Sequence, residues 1–294
     1  MKIGYFADGP WSHLALEKFI EDTSLEISFI CARFDQPDPV LKEQANLQRI
    51  DFITHRNVNS QEFLDAIAHY ECDLFVSLSF NQIFKKRLIH YPRFKIINCH
   101  AGKLPFYRGR NVLNWALIND EKEFGVTVHY VDQGIDTGDI ILQRCYEISD
   151  EDNYKTLLER AYKACAEVLV EAVGKMKRGE IGSINQKSIH PTGFYCSRRK
   201  PGDEVLTWNQ PSRDVFNFVR ALCKPGPMAQ SQINSECIKI NRAELIAKAP
   251  NFKGIPGAVL DAGEDFLIIK TKDSMIRVTE WEYSGKIRIG DRML

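Results

Sequence analysis

The sequence predicts an α/β protein with a Rossmann-like, mostly parallel sheet flanked by helices, followed by a smaller β-rich domain shaped like a partly open barrel. Two observations lead to this prediction. Short apolar runs alternate with helical patterns through the first half of the chain, which is typical of parallel βαβ units. Beyond an irregular, polar stretch at residues 181–203, the pattern changes to short alternating strands.

Strands in the first half are indicated by apolar runs that end in turn signals. Ser12 and Ser60 stand before amphipathic helices, where a hydroxyl can accept a hydrogen bond from an unpaired backbone N–H. A longer helical pattern follows the last of these strands and continues as far as Met176. The strands are predicted at residues 2–7, 25–32, 74–78, 94–98, 124–131 and 140–148.

The second half is predicted to hold one helix around Val215–Leu222 and four short strands. Because proline and glycine interrupt residues 181–203, we interpret them as a linker. The predicted domains are therefore residues 1–200, which would carry the chemistry, and the smaller residues 201–294. The strands of the smaller domain are predicted at residues 238–240, 257–260, 266–270 and 275–281.

Composition limits the classes of partner. The 294 residues include 39 Lys and Arg against 39 Asp and Glu, so the formal net charge is zero. Proteins that bind nucleic-acid phosphates usually carry a basic surplus, so no nucleic-acid partner is expected. The eight cysteines contain no CxxC pair, which favours reduced thiols in a cytoplasmic protein. No segment has the apolar length of a signal peptide or a membrane span.

Motif spacing argues against common cofactors. A dinucleotide site needs GxGxxG after the first strand, but the sequence there reads Asp8-Gly9-Pro10-Trp11-Ser12, and no Walker A sequence occurs. The seven histidines show neither HxxxH nor HExxH spacing, so no metal is expected.

Three residues in the middle of the chain can carry chemistry. Asn98 and His100 lie two positions apart at the C-terminal end of a predicted buried strand, so their side chains share a face where open α/β sheets bind ligands. Asp136 follows in an acidic, glycine-rich loop. An amide donor, an imidazole and a carboxylate suit acyl transfer. Each residue alone also fits a structural role, as a buried histidine, a loop cap or a turn residue.

Four segments around these residues form a specific pattern in fixed order: Asn98-Cys99-His100, Leu104 to Gly109, Gly125 to His129 and Asp136 to Ile140. This pattern resembles the signature of a known family, the N10-formyltetrahydrofolate-dependent formyltransferases. The segments similar to the later part of the longer members are Arg198-Arg199, Trp208, Val219 to Leu222 and Ile255 to Gly257. The resemblance therefore covers most of the chain and implies a Rossmann-like catalytic domain and a smaller, barrel-like C-terminal domain.

The resemblance implies a role for each of the three residues. His100 would take the proton of an attacking amine, Asn98 would hydrogen-bond the formyl oxyanion, and Asp136 would position His100. The co-substrate, N10-formyltetrahydrofolate, would lie against two segments, although the first of them could simply begin a helix. Its binding residues would be Gln82, Ile83, Phe84, Asp132, Gln133, Gly134, Ile135 and Asp136.

Of the amines that the family formylates, an amino sugar linked to a nucleoside diphosphate is favoured over methionyl-tRNA. Zero net charge disfavours tRNA, and the segment from Arg108 to Trp115 looks closer to the sugar enzymes. Gly102 replaces the usual serine and is expected to leave room in the loop. The residues expected at the substrate are Lys103, Tyr107, Arg108, Arg110, Asn111, Tyr195 and Arg198. The charged residues of this set could equally be solvated surface.

The leading hypothesis is an N-formyltransferase for a dTDP-linked 3- or 4-amino deoxy sugar, as used for surface polysaccharides such as the lipopolysaccharide O-antigen. One alternative is a methionyl-tRNA formyltransferase. Another is a regulator without turnover that binds folate or a nucleotide sugar. By analogy with the sugar enzymes, we expect a cytoplasmic homodimer with neither nucleic acid nor membrane as a partner.

Overall fold

The structure, a computed structural model, describes residues 1–180 and 182–294; residue 181, the first of the predicted linker, lies outside them. The chain divides into two compact units. The first consists of residues 1–109, 124–146 and 159–196, and the second of residues 110–123, 147–158 and 197–294. The second unit therefore includes two segments from the first half of the chain, and the boundary between residues 200 and 201 stays a prediction.

The first unit is built on a seven-stranded sheet. The strands of this unit are β1 (Lys2–Ala7), β2 (Glu26–Ala32), β3 (Asp51–Thr54), β4 (Leu74–Leu78), β5 (Ile96–His100), β6 (Arg108–Gly109), β7 (Glu123–Tyr130), β8 (Ile140–Glu147) and β9 (Tyr195–Cys196). The sheet order is β3-β2-β1-β4-β5-β7-β8, and β6 pairs with β9 outside it. Strands β1 to β5 pair in parallel, whereas β5 and β7 are antiparallel.

Two of the helices begin at side chains that cap their first turn. Asp38 accepts a hydrogen bond from the N–H of Leu41 at 2.8 Å, and Ser60 accepts one from Phe63 at 3.3 Å, so both residues are N-caps. The helices of the chain are α1 (Pro10–Glu21), α2 (Pro39–Gln48), α3 (Gln61–Ile67), α4 (Lys86–Ile89), α5 (Val112–Ile118), α6 (Tyr154–Lys177), α7 (Gln186–Ile189) and α8 (Ser212–Leu222).

The core of the first unit is rich in aromatic rings. Phe6 on β1 meets Phe75 on β4 and Phe84 near α4 edge-on, with ring centroids 5.2 Å apart in both pairs. Every residue of β4 is buried, so this strand shows no polar alternation. Continuous burial of that kind is typical of a parallel strand covered on both faces.

The second unit holds α5, α8 and a five-stranded antiparallel sheet that curls into a half-barrel. Buried side chains from α8 and all five strands form one apolar cluster, in which the indole N–H of Trp208 donates to Ser231 at 2.9 Å. The strands are β10 (Ala229–Ile233), β11 (Glu236–Leu245), β12 (Val259–Ala262), β13 (Leu267–Lys270) and β14 (Met275–Glu282).

The predicted fold class is confirmed in both of its parts. Three local predictions are wrong. Ser12 was expected to stand before a helix, but α1 begins at Pro10 after Gly9, so Ser12 lies inside its first turn and its hydroxyl donates to the backbone oxygen of Gly9. The strand expected at residues 94–98 starts at Ile96, because Pro92 to Lys95 form a turn in which Lys95 has a φ of 62°. Part of the expected linker is ordered instead, since residues 186–189 form α7 and residues 195–196 form β9.

The structure also bears on membrane insertion. Over residues 1–180 and 182–294, every helix is too short or too polar to cross a bilayer.

Candidate active site

The end of β5 brings the three predicted catalytic residues together. Asn98 pairs with His129 of β7, and His100 pairs with Thr127. Asp136 lies in the loop between β7 and β8, where its carboxylate approaches two imidazoles. Its Oδ2 is 3.7 Å from Nδ1 of His100, and its Oδ1 is 3.5 Å from Nε2 of His129. All of these residues belong to the first unit.

A hydrogen bond to a backbone carbonyl selects the tautomer of His100. The Nε2 atom of His100 lies 2.7 Å from the backbone oxygen of Tyr107. A carbonyl oxygen can only accept, so Nε2 carries the hydrogen and donates it. In the neutral ring Nδ1 then holds the lone pair, which faces the Asp136 carboxylate. A proton taken up at Nδ1 is stabilised by that carboxylate, as a general base requires.

The Asp136 carboxylate is largely buried but stays ionised. Burial by itself would raise the pKa of Asp136, whereas the positive charge that His100 and His129 carry when protonated, a hydrogen bond from His129 and the backbone N–H of Gly109 together hold that pKa well below its ordinary value. The Gly109 N–H donates to Oδ2 at 2.8 Å. The backbone of Asp136 is left-handed, with a φ of 54°. Strain of this kind costs about 1–3 kcal/mol and collects at functional sites.

His129 orients the amide of Asn98. The Nδ1 atom of His129 lies 2.8 Å from the backbone oxygen of Tyr130, so it carries the hydrogen of the neutral ring. Its Nε2 can then accept from the amide nitrogen of Asn98, 3.3 Å away. That nitrogen has a second N–H which this bond does not use. The amide can therefore donate to negative charge on a bound substrate.

The first segment expected to bind the co-substrate is irregular backbone, and α4 begins only at Lys86. Gln82 braces a neighbouring loop: its Nε2 donates to the backbone oxygen of His55 at 2.8 Å, and its Oε1 accepts from the N–H of Val58 at 3.0 Å. Phe84 is buried in an apolar cluster within the aromatic core of the first unit, while Ile83 is 64% exposed. Of the three side chains, Ile83 is the one presented to solvent.

The second of these segments, residues 132–136, is a tight loop. Asp132 accepts hydrogen bonds from the N–H of Gly134 at 3.0 Å and from the hydroxyl of Thr137 at 2.5 Å. Gln133 is exposed, and Ile135 is 52% exposed. The residue before the loop, Val131, packs against the apolar cluster that contains Phe84. Both expected co-substrate segments therefore border the same cluster.

Four of the expected substrate residues belong to the first unit. Tyr107 and Arg108 are buried, Lys103 is half-buried, and Tyr195 is exposed. The guanidinium of Arg108 lies over the Tyr195 ring, 5.4 Å from its centroid. Burial of Arg108 differs from what is expected of a residue that meets a solvated diphosphate.

The other three, Arg110, Asn111 and Arg198, belong to the second unit and are exposed. Asn111 precedes α5 with a φ of 55°, and its side-chain oxygen accepts from the backbone N–H of Arg199 at 3.0 Å. Contact of these residues with a substrate stays a prediction.

The space beside Gly102 that was expected to be free is occupied by the His100 ring and the backbone oxygen of Tyr107. A Cβ atom on Gly102 would lie 2.5 Å from Nε2 of His100 and would also collide with the backbone oxygen of Tyr107. The missing side chain therefore allows the imidazole and this carbonyl to approach each other. Gly102 adjoins the hydrogen bond that selects the His100 tautomer.

Sequence analysis overlooked Gln186 and left the role of His129 open. Gln186 lies in α7 and is buried, and its amide donates to the backbone oxygens of Asp136 and Gly138, at 2.8 Å each. The one local signal was Asn185, which caps α7 by accepting from the N–H of Lys187. A helix of four residues is too short to give a periodic pattern.

Together, Asn98, His100 and Asp136 can transfer an acyl group to an amine: they supply an oxyanion donor, a general base and an ionised partner for that base. Among the residues that the structure describes, no group of three or more His, Cys, Asp or Glu is arranged to hold a metal ion.

Comparison with known proteins places this site in a family. A family model described as "Formyl transferase" matches residues 30–173, and one described as "Formyl transferase, C-terminal domain" matches residues 199–291. The chain belongs to the formyl transferase family. The first match contains the three catalytic candidates of this formyl transferase, and the second contains its curled antiparallel sheet.

Relatives similar in sequence include methionyl-tRNA formyltransferases. That of Alkaliphilus oremlandii is 29% identical over 301 residues, which cover 99% of this formyl transferase and 95% of the relative. That of Caldanaerobacter subterraneus is 32% identical over 234 residues, which cover 80% and 74%.

Solved structures with the same fold include sugar N-formyltransferases. WlaRD, a sugar 3N-formyl transferase solved in the presence of dTDP and 5-N-formyl-THF, gives a TM-score of 0.70 at 22% identity, over 96% of this chain and 97% of that one. An N-formyltransferase from Helicobacter canadensis, in complex with folinic acid and dTDP-3-aminofucose, gives a TM-score of 0.68 at 20% identity, over 96% of this chain and 98% of that one. At these identities the likeness concerns the fold.

Proposed function

We propose that this formyl transferase moves the formyl group of N10-formyltetrahydrofolate to the amine of an amino sugar linked to a nucleoside diphosphate. The observation that carries the chemistry is the arrangement of Asn98, His100 and Asp136. A ring nitrogen with a lone pair faces an ionised carboxylate, beside an amide with an N–H to donate. The family accounts for formyl transfer, and the sugar acceptor is the new part of the proposal.

In the proposed mechanism, His100 takes at Nδ1 the proton that the amine loses as its nitrogen bonds to the formyl carbon. Ionised Asp136 stabilises the resulting imidazolium. His100 can return the proton to N10 when the bond between N10 and the formyl carbon breaks. Asn98 donates to the negative charge that develops on the formyl oxygen, and losing such a donor typically lowers the rate ~100-fold or more.

The surroundings of the site suit a folate. Exposed Ile83 precedes Phe84 of the apolar cluster, and exposed Ile135 lies in the loop that follows Val131, which packs against the same cluster. We propose that an aromatic ring system meets these two apolar side chains. Backbone groups of residues 132–136 would hydrogen-bond its polar edge. WlaRD and the Helicobacter canadensis enzyme were solved with 5-N-formyl-THF and folinic acid, which supports this part of the proposal.

Charge supports a small acceptor over tRNA. The whole chain carries 39 Lys and Arg against 39 Asp and Glu, and residues 201–294 carry 13 against 12. A tRNA offers many phosphates, which a binding protein normally meets with surplus basic side chains. The two sugar enzymes were solved with dTDP or dTDP-3-aminofucose, so we propose a dTDP-linked 3- or 4-amino deoxy sugar as the acceptor.

The product would be an N-formylated nucleotide sugar, suited to surface polysaccharide synthesis. Lys103, which lies in the first unit with the candidate catalytic residues, is the residue that we propose to contact the nucleotide. The proposal further places the enzyme in the cytoplasm as a homodimer.

The test is a mass-spectrometric assay of the wild-type protein with N10-formyltetrahydrofolate and a panel of nucleotide-linked 3- and 4-amino sugars. The expected result is a gain of one formyl group on one member of the panel. His100→Asn, which removes the base, should slow that reaction ~100-fold or more while the protein remains folded by circular dichroism. A panel without any formylated member contradicts the sugar proposal.

A second candidate is methionyl-tRNA formylation, which the similar sequences of two methionyl-tRNA formyltransferases favour. Charged initiator tRNA would then be formylated, and its binding should weaken steeply with salt as counterions are released. Formylation at two salt concentrations measures this directly. A salt-independent KM for the acceptor, or no transfer to tRNA, counts against this candidate.

A further inference from the structure

Arg108 is held inside the first unit by a two-pronged contact. Its Nε and one terminal nitrogen donate to Oε1 of Gln186, at 3.0 and 2.6 Å, and the other terminal nitrogen donates to the backbone oxygen of Thr192 at 3.1 Å. The two side chains expose only 7% and 1% of their surfaces. A guanidinium with its donors directed into the protein is poorly placed to bind a solvated phosphate.

Gln186 connects this arginine to the catalytic loop. Its oxygen accepts from Arg108, while its amide nitrogen donates to the backbone oxygens of Asp136 and Gly138, at 2.8 Å each. The preceding residue, Asn185, adds a bond of 2.8 Å to the side chain of Asp139. Helix α7 is therefore attached to Asp136 itself and to the residues that follow it in the loop.

Arg108 also reaches the carboxylate end of Asp136 through its chain neighbour. Gly109 donates its N–H to Asp136 Oδ2, with a φ of 95° that favours glycine. Strand β6, which consists of these two residues, pairs with β9 at Cys196, and a Cβ on Gly109 would lie 2.5 Å from the Cys196 oxygen. The position of the Gly109 N–H is thus fixed by the pairing of β6 with β9, which also holds the backbone of Arg108.

We propose that Arg108 and Gln186 are positioning residues that hold Asp136 in the strained backbone conformation and at the distance from His100 that formyl transfer needs. This inference rests on the proposed function for its kinetic consequence. Asp136 adopts a φ of 54°, and two links oppose its relaxation: Gln186 on its carbonyl and Gly109 on its carboxylate. Both links lead back to Arg108. Arg108 therefore acts on catalysis through Asp136, with no contact to the substrate.

The variant Gln186→Glu keeps the contact of this side chain with Arg108 but removes its hydrogen bonds to the loop that carries Asp136. Its carboxylate still accepts from Arg108 but has no N–H to offer, and it would face the oxygens of Asp136 and Gly138. Displacing a catalytic group by a fraction of an ångström slows a reaction by on the order of 10- to 100-fold. We expect kcat to fall by about that factor, while KM for both substrates changes less than about twofold.

Gln143→Glu is the matched control. Gln143 also donates its amide to two acceptors in the first unit, the Leu104 oxygen at 2.9 Å and the Thr127 hydroxyl at 2.8 Å, but it does not touch Asp136. Its kcat should stay within about twofold of the wild type. Arg108→Lys, which keeps the charge but loses the two-pronged contact, is the second variant and should lower kcat without raising KM.

A double-mutant cycle identifies Asp136 as the target. In an Asp136→Asn background, Gln186→Glu should lower kcat by less than about twofold, because the group that it displaces is already inactive. Two results would overturn the proposal. One is that Gln186→Glu lowers kcat by its full factor in the Asp136→Asn background as well, and the other is that Arg108→Lys raises KM for the acceptor with kcat unchanged. The latter would assign Arg108 to substrate binding.

A measurement without substrate separates this proposal from the proposed function. Nitrogen-15 NMR of the histidine rings in the ligand-free protein reports the His100 environment. The Gln186→Glu spectrum should differ from wild type at the His100 ring nitrogens, and the Gln143→Glu spectrum should not. Unchanged His100 signals in Gln186→Glu overturn the positioning role, whichever amine the enzyme formylates.

Discussion

At the residue scale, backbone carbonyls decide which ring nitrogens carry hydrogen in the candidate active site. Tyr107 and Tyr130 each accept a hydrogen from a histidine ring, so His100 keeps a lone pair toward Asp136 and His129 keeps one toward Asn98. A carbonyl oxygen can only accept a hydrogen bond, whereas a hydroxyl can either donate or accept one. The tautomers are therefore set by the fold before any substrate binds.

Asp136→Asn should destabilise the protein at neutral pH, and the difference should shrink in acid. The pKa of Asp136 is held well below the value of roughly 3.9 for an unfolded aspartate, so its ionised form contributes stability above about pH 4. That contribution disappears as the pH falls through the depressed pKa of the folded state. Urea unfolding of both proteins between neutral pH and about pH 3 measures the difference. A difference in the free energy of unfolding that stays constant with pH would contradict the depressed pKa of Asp136.

Gly102→Ala should impair catalysis more than folding. The added Cβ would meet Nε2 of His100 and the Tyr107 oxygen, so the ring must move from the carbonyl that selects its tautomer. We expect kcat to fall by on the order of 10-fold or more. Gly182→Ala is the control, since a Cβ there meets nothing within 4 Å. Wild-type kcat in Gly102→Ala would show that the close approach is unimportant.

At the element scale, burial explains which parts of the fold the sequence could predict. Strands β1 and β4 are mostly apolar and almost entirely buried, and they were predicted at their observed bounds. Strand β3 and helix α5 were missed: β3 is four residues long and partly exposed, and α5 has only seven residues. Helix α2 was missed as well, because its exposed face is polar, although Asp38 followed by Pro39 was a readable start signal.

The candidate site divides in the same way. The two-residue period of a strand was enough to place Asn98 and His100 on one face. Asp136 stood out by its acidic, glycine-rich loop, and the family resemblance gave it the role of positioning His100. Gln186 follows Asp136 by fifty residues and reaches it through a long helix and a short one, so only the folded chain brings the two together.

Ser60→Ala tests an element boundary that the sequence did predict. The Ser60 hydroxyl accepts from the N–H of Phe63 at the start of α3, and its loss should lower the free energy of unfolding by about 1 kcal/mol. Urea denaturation measures this. Ser60→Thr keeps the hydroxyl and should recover most of the difference. Equal stability of Ser60→Ala and the wild type would mean that the cap contributes nothing.

At the scale of the whole molecule, the proteins that this chain resembles differ in the acceptor that their names give. The sequence relatives are methionyl-tRNA formyltransferases, whereas the structures solved with dTDP are sugar enzymes. Both acceptors present an amine to the same formyl group, so the proposed roles of Asn98, His100 and Asp136 suit either reaction. Discrimination has to come from the rest of the molecule, and its balanced charge favours the small acceptor.

One competition experiment decides between them. The enzyme receives limiting N10-formyltetrahydrofolate in a mixture of dTDP-linked 3- and 4-amino sugars and charged initiator tRNA at physiological salt. Mass spectrometry then follows the formyl group. Our account predicts that it appears on one amino sugar, and that His100→Asn abolishes this transfer. Formyl groups found on methionyl-tRNA, with the sugars unchanged, would contradict it.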